Sequence, residues 1–348
     1  MKIRILPFLL TATALAAASG ALLAQGMGGM RGGMGGGMGR GMAAPQPPAD
    51  NPMTPAKVAL GKQLYFDPRL SRDGTVSCNS CHDLHAAGAD GKAVSTGVGG
   101  AQGSRNSPTV WNAAFHNAQF WDGRAASLEE QAKGPLTNPV EMAMPSEDAV
   151  VARVKSIPGY VNQFEAVFGK NALTIDNIAR AIATYERTLV SGSSAFDTFR
   201  FADKSALTAA QFQGFQTFRE VGCMQCHMGP DFAGPPPLAR GAGFYQRFPL
   251  FPAGPLVNRY KLLDDAGRMT ATGQAADRNV WRVPSMRNVG LTAPYFHNGR
   301  VPTLEEAVRV CAEGGNNREL SSAQVQSITA FLGSLSGSLP PQQAPKLP

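Results

Sequence analysis

Cys78-Asn79-Ser80-Cys81-His82 returns 145 residues later (223 − 78) as Cys223-Met224-Gln225-Cys226-His227. A doubled C-x-x-C-H constrains this chain more than any other feature. Two cysteines at that spacing can add across the vinyl groups of one porphyrin, and the histidine that follows turns back to ligate its iron. The chain must then fold around two haem c groups, attached through Cys78, Cys81, Cys223 and Cys226 and ligated by His82 and His227. Other chemistries also use cysteine pairs. Zinc sites seldom place a histidine directly after each pair, and redox-active thiol pairs sit in a βαβ setting that this chain lacks.

The opening residues address the chain for export. Lys2 and Arg4 precede an apolar run from Ile5 to about Ala18, and small residues continue to Ala24, so residues 1–24 read as a cleavable signal peptide. No cysteine follows, so no lipid anchor is expected, and no later stretch has the apolar length of a membrane span. Haem c is attached after export in bacteria, which agrees with a periplasmic address. Residues 25–51 form a Gly/Met/Pro tract carrying Met27, Met30, Met34, Met38 and Met42. Lacking apolar periodicity, it reads as a disordered tether. Its thioethers are soft donors that suit Cu(I), although the composition favours a plain linker.

The formal charge of +7 overstates how basic the protein is. Lys2, Arg4, Arg31 and Arg40 lie in these two segments together with Asp50, and removing those five leaves +4. Four haem propionates would take that to about zero, so no nucleic-acid partner is expected.

The remaining patterning is helical. Thr54-Pro55 starts a helix with Val58, Gly61 and Tyr65 on one face. Ser127 with Glu130 makes a capping box, and Ile175, Ile178, Ile182, Tyr185 and Leu189 form a long apolar stripe. Thr208 with Gln211 caps a helix that leads into the second haem motif. Thr303 with Glu306 caps another, which carries Leu304, Val308 and Cys311. Alternating strand patterns are scarce. The expected fold is mainly α, with two tandem cytochrome c-like haem domains at 52–200 and 201–320. Residues 321–348 are expected to form a C-terminal helix and tail packing back on the first domain.

Several ordered motifs carry a resemblance. Leu60-Gly61-Lys62-Gln63-Leu64-Tyr65-Phe66-Asp67-Pro68-Arg69-Leu70-Ser71, Arg105-Asn106-Ser107-Pro108-Thr109, Phe120-Trp121-Asp122-Gly123-Arg124 and Val140-Glu141-Met142 resemble bacterial dihaem cytochrome c peroxidases. So do Arg282-Val283-Pro284-Ser285-Met286-Arg287-Asn288 and Leu291-Thr292-Ala293-Pro294-Tyr295-Phe296-His297-Asn298-Gly299. The superfamily includes the MauG type, which oxidises a partner protein. The resemblance implies that Trp121 lies between the haems and that Gln131 and Glu141 are the distal pair that handles peroxide. It also implies a calcium site at Asn106, Thr292 and Pro294, whose oxygens suit a hard cation. A carboxylate beside an open iron position can move the proton that peroxide cleavage requires, and an amide can orient the peroxide.

Two positions depart from the peroxidase pattern. Val98 stands where a loop histidine blocks the peroxidatic haem, so haem 1 should be open without reductive activation. His85 and His116, nearby in sequence, are the available replacement ligands. Cys311 stands where peroxidases place the axial methionine of haem 2 and MauG a tyrosine. A thiolate there would lower the reduction potential, and Met286 is the fallback ligand. The leading function is a periplasmic peroxidase that takes electrons from a small cytochrome c or copper protein. The alternatives are a MauG-like enzyme acting on a protein substrate and a dihaem carrier without catalysis. A homodimer is expected, as is common in such peroxidases.

Overall fold

Helices begin where the sequence supplies a side-chain acceptor. In the computed structural model, which describes residues 44–235 and 239–348, Thr54, Ser127, Ser146, Thr174, Ser194, Thr208, Thr303 and Ser321 each accept the backbone N–H three residues on. Each bond satisfies one of the donors that a helix start leaves unpaired. At Ser127 the capping box is only half made, because Glu130 Oε2 accepts from Ala126 N. The signal segment 1–24 and the methionines from Met27 to Met42 lie outside the described residues.

The first half comprises α1 (Pro55–Phe66), the single turn α2 (Cys78–Cys81), α3 (Leu128–Thr137), α4 (Glu147–Lys155), α5 (Pro158–Phe168) and α6 (Ile175–Glu186). Its core includes Leu60, Tyr65, Val98, Tyr160, Phe164 and Ile178. Helices α7 (Ala195–Phe201), α8 (Ala209–Glu220), α9 (Pro255–Arg259), α10 (Met269–Thr272), α11 (Leu304–Asn316) and α12 (Ser322–Gly333) follow. A phenylalanine-rich core with Phe196, Phe218, Phe232 and Phe331 gathers α7, α8, α11 and α12. Between α8 and α11, β1 (Tyr245–Arg247) and β2 (Val280–Arg282) pair antiparallel, with Tyr245 opposite Arg282 and Gln246 opposite Trp281.

The two halves share a packing device. Helix α1 crosses α6 at Gly61, where an added Cβ would lie 1.9 Å from the Ala181 carbonyl oxygen. Helix α8 crosses α12 at Gly214, where it would lie 1.8 Å from the Ser327 oxygen. In each half the helix preceding the haem motif is pressed backbone to backbone against a later helix. That contact sets the height at which each C-x-x-C-H emerges.

Four expectations need correction. The stripe ending at Leu189 outruns its helix, which stops at Glu186, although Leu189 itself is buried. The boundary expected at residue 200 lies within α7, whose Phe196 and Phe199 pack with the second core. The closing helix α12 does not reach the first half, because its apolar face, with Val325, Ile328 and Phe331, is spent on α8. Only the tail returns, through Arg69 to the Pro348 carbonyl and Tyr185 to Gln342. Last, the tether does not extend to residue 51. Asn51 is 1% exposed and donates to Glu129 and the Arg180 carbonyl, while Lys57 donates to it. Among the described residues no helix is long and apolar enough to cross a membrane.

Candidate functional site

His82 follows the α2 turn, with its N–H bonded to the Cys78 carbonyl at 3.0 Å. The Pro108 carbonyl lies 2.9 Å from its Nδ1. A carbonyl can only accept, so Nδ1 carries the proton and Nε2 keeps the lone pair that a metal needs. Burial lowers the pKa of His82, which keeps the ring neutral. The Tyr65 hydroxyl donates to the His82 carbonyl at 2.8 Å and steadies the turn from α1.

Cys78, Cys81 and His82 line a cavity of about 730 Å³, within the range of roughly 300–1,000 Å³ usual for cofactor sites. Gln131, from α3, and Glu141 line the same cavity, as do Trp121 and Arg282. The chain brings Glu141 there by a turn after α3 in which Met142 N bonds the Pro135 carbonyl and Glu141 N the Asn138 carbonyl. Glu141 Oε1 accepts from Asn138 Nδ2 at 2.6 Å. Burial pushes its carboxyl up, against the opposing pull of Arg124 and of that amide. A raised carboxyl that remains titratable is suited to proton transfer.

The Ser95–Gly103 loop closes against this turn. Val98 N donates to the Glu141 carbonyl at 2.9 Å, and a Cβ on Gly97 would meet the Val140 oxygen at 2.3 Å. Val98 is 3% exposed and its side chain belongs to the apolar core; it does not line the cavity. His85 is exposed, whereas His116 lines the cavity and is held neutral by burial and by Arg282.

The Trp121 indole donates to the Asn106 carbonyl at 2.8 Å, and its own carbonyl accepts from Arg282 N at 2.9 Å. Phe120 before it has φ 68°, a left-handed conformation that a bulky residue adopts only when its surroundings impose it. Here the Arg124 guanidinium, 3.5 Å from the Phe120 ring, and Arg282 Nε, 3.1 Å from the Phe120 carbonyl, impose it. Trp121 is thus gripped from both halves of the chain.

Around the second motif, His227 N bonds the Cys223 carbonyl at 3.0 Å and His227 Nδ1 faces the Phe232 carbonyl at 3.1 Å, the same arrangement as at His82. Cys311 lies on α11. Burial pushes its thiol up to about 12, with the Cys223 and Cys226 thiols adding to the shift. Met286 packs against the second core, as Cys223 and Met224 also do. A smaller cavity of about 420 Å³ is lined by Pro230, Asp231, His116 and Arg282, together with Ala44 and Pro45. Neither Cys223, Cys226 nor His227 lines it.

The residues of the expected calcium site offer only neutral oxygens. Asn106 donates its amide NH2 to the Lys92 carbonyl at 2.8 Å, Thr292 donates to the Val289 carbonyl, and Pro294 follows a cis bond from Ala293. No group of three or more His, Cys, Asp or Glu side chains is placed to hold a metal among the described residues.

Sequence reasoning passed over the Pro108 and Phe232 carbonyls that orient the two histidines. Arg282 lies within one of the family-like motifs, where nothing in the sequence marks a role for it. Glu186 was missed outright. It is 5% exposed on the cavity wall, its Oε2 has no hydrogen-bond partner, and burial pushes its carboxyl up to about 8. Nothing in a helical pattern separates it from a solvated glutamate.

Haem motifs on a helical scaffold, with an acid, an amide and an indole gathered at one of them, define a haem c oxidoreductase. The model of the di-haem cytochrome c peroxidase family matches residues 55–205. The cytochrome c551 peroxidase of Nitrosomonas europaea is 44% identical over 309 residues, covering 86% of this chain and 88% of that one. Methylamine utilization protein MauG of Methylorubrum extorquens is 36% identical, covering 88% and 85%. Among solved structures, a MauG-like protein associated with microbial copper homeostasis superposes with a TM-score of 0.73 at 27% identity, over 88% of this chain and 96% of that one. The chain belongs to the di-haem cytochrome c peroxidase family and is an oxidoreductase of that type. The family implies two haem c groups, which the donors at Cys78, Cys81 and His82 and at Cys223, Cys226 and His227 fit.

Proposed function

We propose that this protein is a periplasmic peroxidase with two tandem haem c domains that reduces hydrogen peroxide to two waters, consuming two protons and two electrons. The observation that carries the reading is the gathering of His82, Gln131, Glu141 and Trp121 in one cavity of about 730 Å³. Haem c held by His82 would supply the redox-active iron. Glu141 takes a proton from the near oxygen of peroxide and returns it to the far one, and the Gln131 amide orients the pair. Trp121, fixed through Asn106 and Arg282, is the indole through which electrons arrive from the second site and, before that, from a small cytochrome c or copper protein. Residues 1–24 direct the chain to the periplasm. Steady-state turnover with peroxide and reduced cytochrome c is the test. Rapid turnover is expected, and no consumption of either substrate would sink the reading.

A second reading, a MauG-like enzyme that oxidises a partner protein, draws support from Val98. With its side chain in the core, Val98 offers no ligand to the cavity, so haem 1 would be open in the fully oxidised protein provided that His116, which lines the same cavity, stays off the iron. Weak peroxide turnover together with an oxidised partner protein would favour it.

Cys311 is proposed as the second axial ligand of haem 2, with Met286 the alternative. Replacing Cys311 with alanine should change the haem 2 absorption and EPR signals and raise its potential. Spectra identical to those of the unsubstituted protein would remove Cys311 as a ligand. Calcium is proposed at Asn106, Thr292 and Pro294. One bound calcium per chain is expected by elemental analysis, with turnover lost on chelation and regained on adding it back; protein prepared in calcium that holds none would end this proposal.

A further inference from the structure

Guanidinium groups buried in this protein come with carboxylates, whereas the buried Lys57 ammonium is met by the Asn51 and Pro52 oxygens. Arg105 is held by Asp122 and Asp265, Arg187 by Glu129, and Arg287 by Asp197. The desolvation cost of a guanidinium leads one to expect this. Arg282 breaks the pattern. It is 7% exposed, yet among the described residues no carboxylate lies within ion-pair distance of it. Its Nε is spent on the Phe120 carbonyl at 3.1 Å, and Nη1 makes only a long contact of 3.4 Å to the Val283 carbonyl.

Its position is as unusual as its pairing. Arg282 lines both the 730 Å³ cavity that holds Cys78, Cys81 and His82 and the 420 Å³ cavity lined by Pro230 and Asp231. The groups that face it do not close an ion pair with it among the described residues. His116 lines both cavities and is held neutral by burial and by Arg282 itself. Tyr245, opposite in the strand pair, donates its hydroxyl to the Gly123 carbonyl. Asp231 is the nearby acid, and burial pushes its carboxyl up. Burial pulls Arg282 itself down to about 10, which still leaves it a cation at neutral pH.

We propose that Arg282 is a cofactor-anchoring residue, whose Nη groups receive a haem propionate where the two cavities meet. The proposal rests on the reading of two bound haems. Any haem seated at either motif carries two carboxylates, and the planar guanidinium matches a carboxylate in two-point contact. The same side chain grips the Phe120 carbonyl, and its backbone N–H grips that of Trp121. Its charge would therefore couple the electrostatics of the bound haem to the placing of the indole.

The test uses the holoprotein, with two attached haems verified by haemochrome absorbance, and the variants R282Q and R282K. Each haem is titrated with reductant between pH 5 and 8.5. In R282Q at pH 8 the propionate keeps its charge and loses its cation. The ferrous-to-ferric ratio of the anchored haem at fixed solution potential then falls about tenfold, or ~59 mV for one electron. As pH falls, a carboxylate left without its cation takes up a proton, and the difference from the unsubstituted protein closes. R282K, which keeps the charge, stays near the unsubstituted values. A shift at haem 1 assigns the carboxylate to haem 1, and a shift at haem 2 assigns it to haem 2. If both haems of R282Q, fully loaded, match the unsubstituted potentials at every pH, the proposal is overturned and Arg282 merely holds two carbonyls. Should R282Q fail to retain haem, the propionate bending bands in the Raman spectrum of R282K must differ from those of the unsubstituted protein, and identical bands overturn it too. An unsubstituted protein that carries no haem defeats the two-haem reading instead.

Discussion

Replacing Glu141 with glutamine is expected to lower kcat for peroxide reduction by about 10²–10⁴-fold, the usual worth of a positioned acid–base group. Both haems should remain attached and the fold intact. The amide keeps the shape of the side chain and can still meet Asn138, but it cannot carry a proton. The carboxyl must be ionised to begin the transfer, and burial holds its pKa above the ordinary glutamate value of 4.5. The rate for the unsubstituted protein should therefore fall on the acid side through a pKa above 4.5, and this limb should vanish in E141Q. Stability should move differently. A carboxyl whose folded pKa is raised contributes stability only at low pH and loses it as pH rises through the folded value. Glutamine avoids that cost at neutral pH, so the melting temperature should hold or rise. Turnover within threefold of the unsubstituted enzyme would mean that some other group moves the proton.

The largest stability effect is expected at Arg287. Its Nη1 and Nη2 bond the two oxygens of Asp197 at 2.7 Å each, and Nη2 also donates to the Pro230 carbonyl at 2.7 Å. Both side chains of the pair are nearly inaccessible, at 6% and 2%. Arg287→Ala leaves a buried carboxylate with only Ser194 for company and should cost about 3–5 kcal/mol. At roughly 2–4 °C per kcal/mol, the midpoint of thermal unfolding should fall by about 6–20 °C. Replacing both partners with apolar residues of similar size should recover most of that loss, because the penalty lies in the orphaned charge. For Asp197, burial pushes the carboxyl up, but Arg287 and Ser194 outweigh it and hold it below its ordinary value of 3.8. A depressed folded pKa means that the contribution is complete above the unfolded value and is lost as pH falls through the folded one. In R287A the orphaned Asp197 carboxyl, left mainly with its burial, takes up a proton as pH falls, so the stability gap should begin to narrow above the ordinary carboxylate value of 3.8 and close further in acid as the pair itself is lost. A single substitution costing less than 1 kcal/mol would show that the pair is not structurally needed.

Much of the local architecture could be read directly from the residues. Thr54, Ser127, Thr208 and Thr303 mark helix starts because an N-cap acts on a donor three residues away, within the reach of a short pattern. The haem motifs are legible for the same reason, since both cysteines and the histidine lie on one turn. Glu141 and Gln131 are different. Each would pass for a solvated residue, and only their place in ordered family motifs marks them. Asn51 and α7 were misassigned because composition and spacing do not say which core a short segment joins.

The motif chemistry, the helix starts and the mainly α character were set by neighbours in the chain, where one or two turns of backbone bring the interacting atoms together. The tertiary structure alone determined that Arg282 reaches Phe120 and Trp121, that Val98 faces the core and that the closing helix stays with its own half. Each of these is a contact between residues distant in sequence. Such contacts form only when buried surface and satisfied hydrogen bonds outweigh the entropy of closing the intervening chain, a balance that belongs to the whole packed molecule.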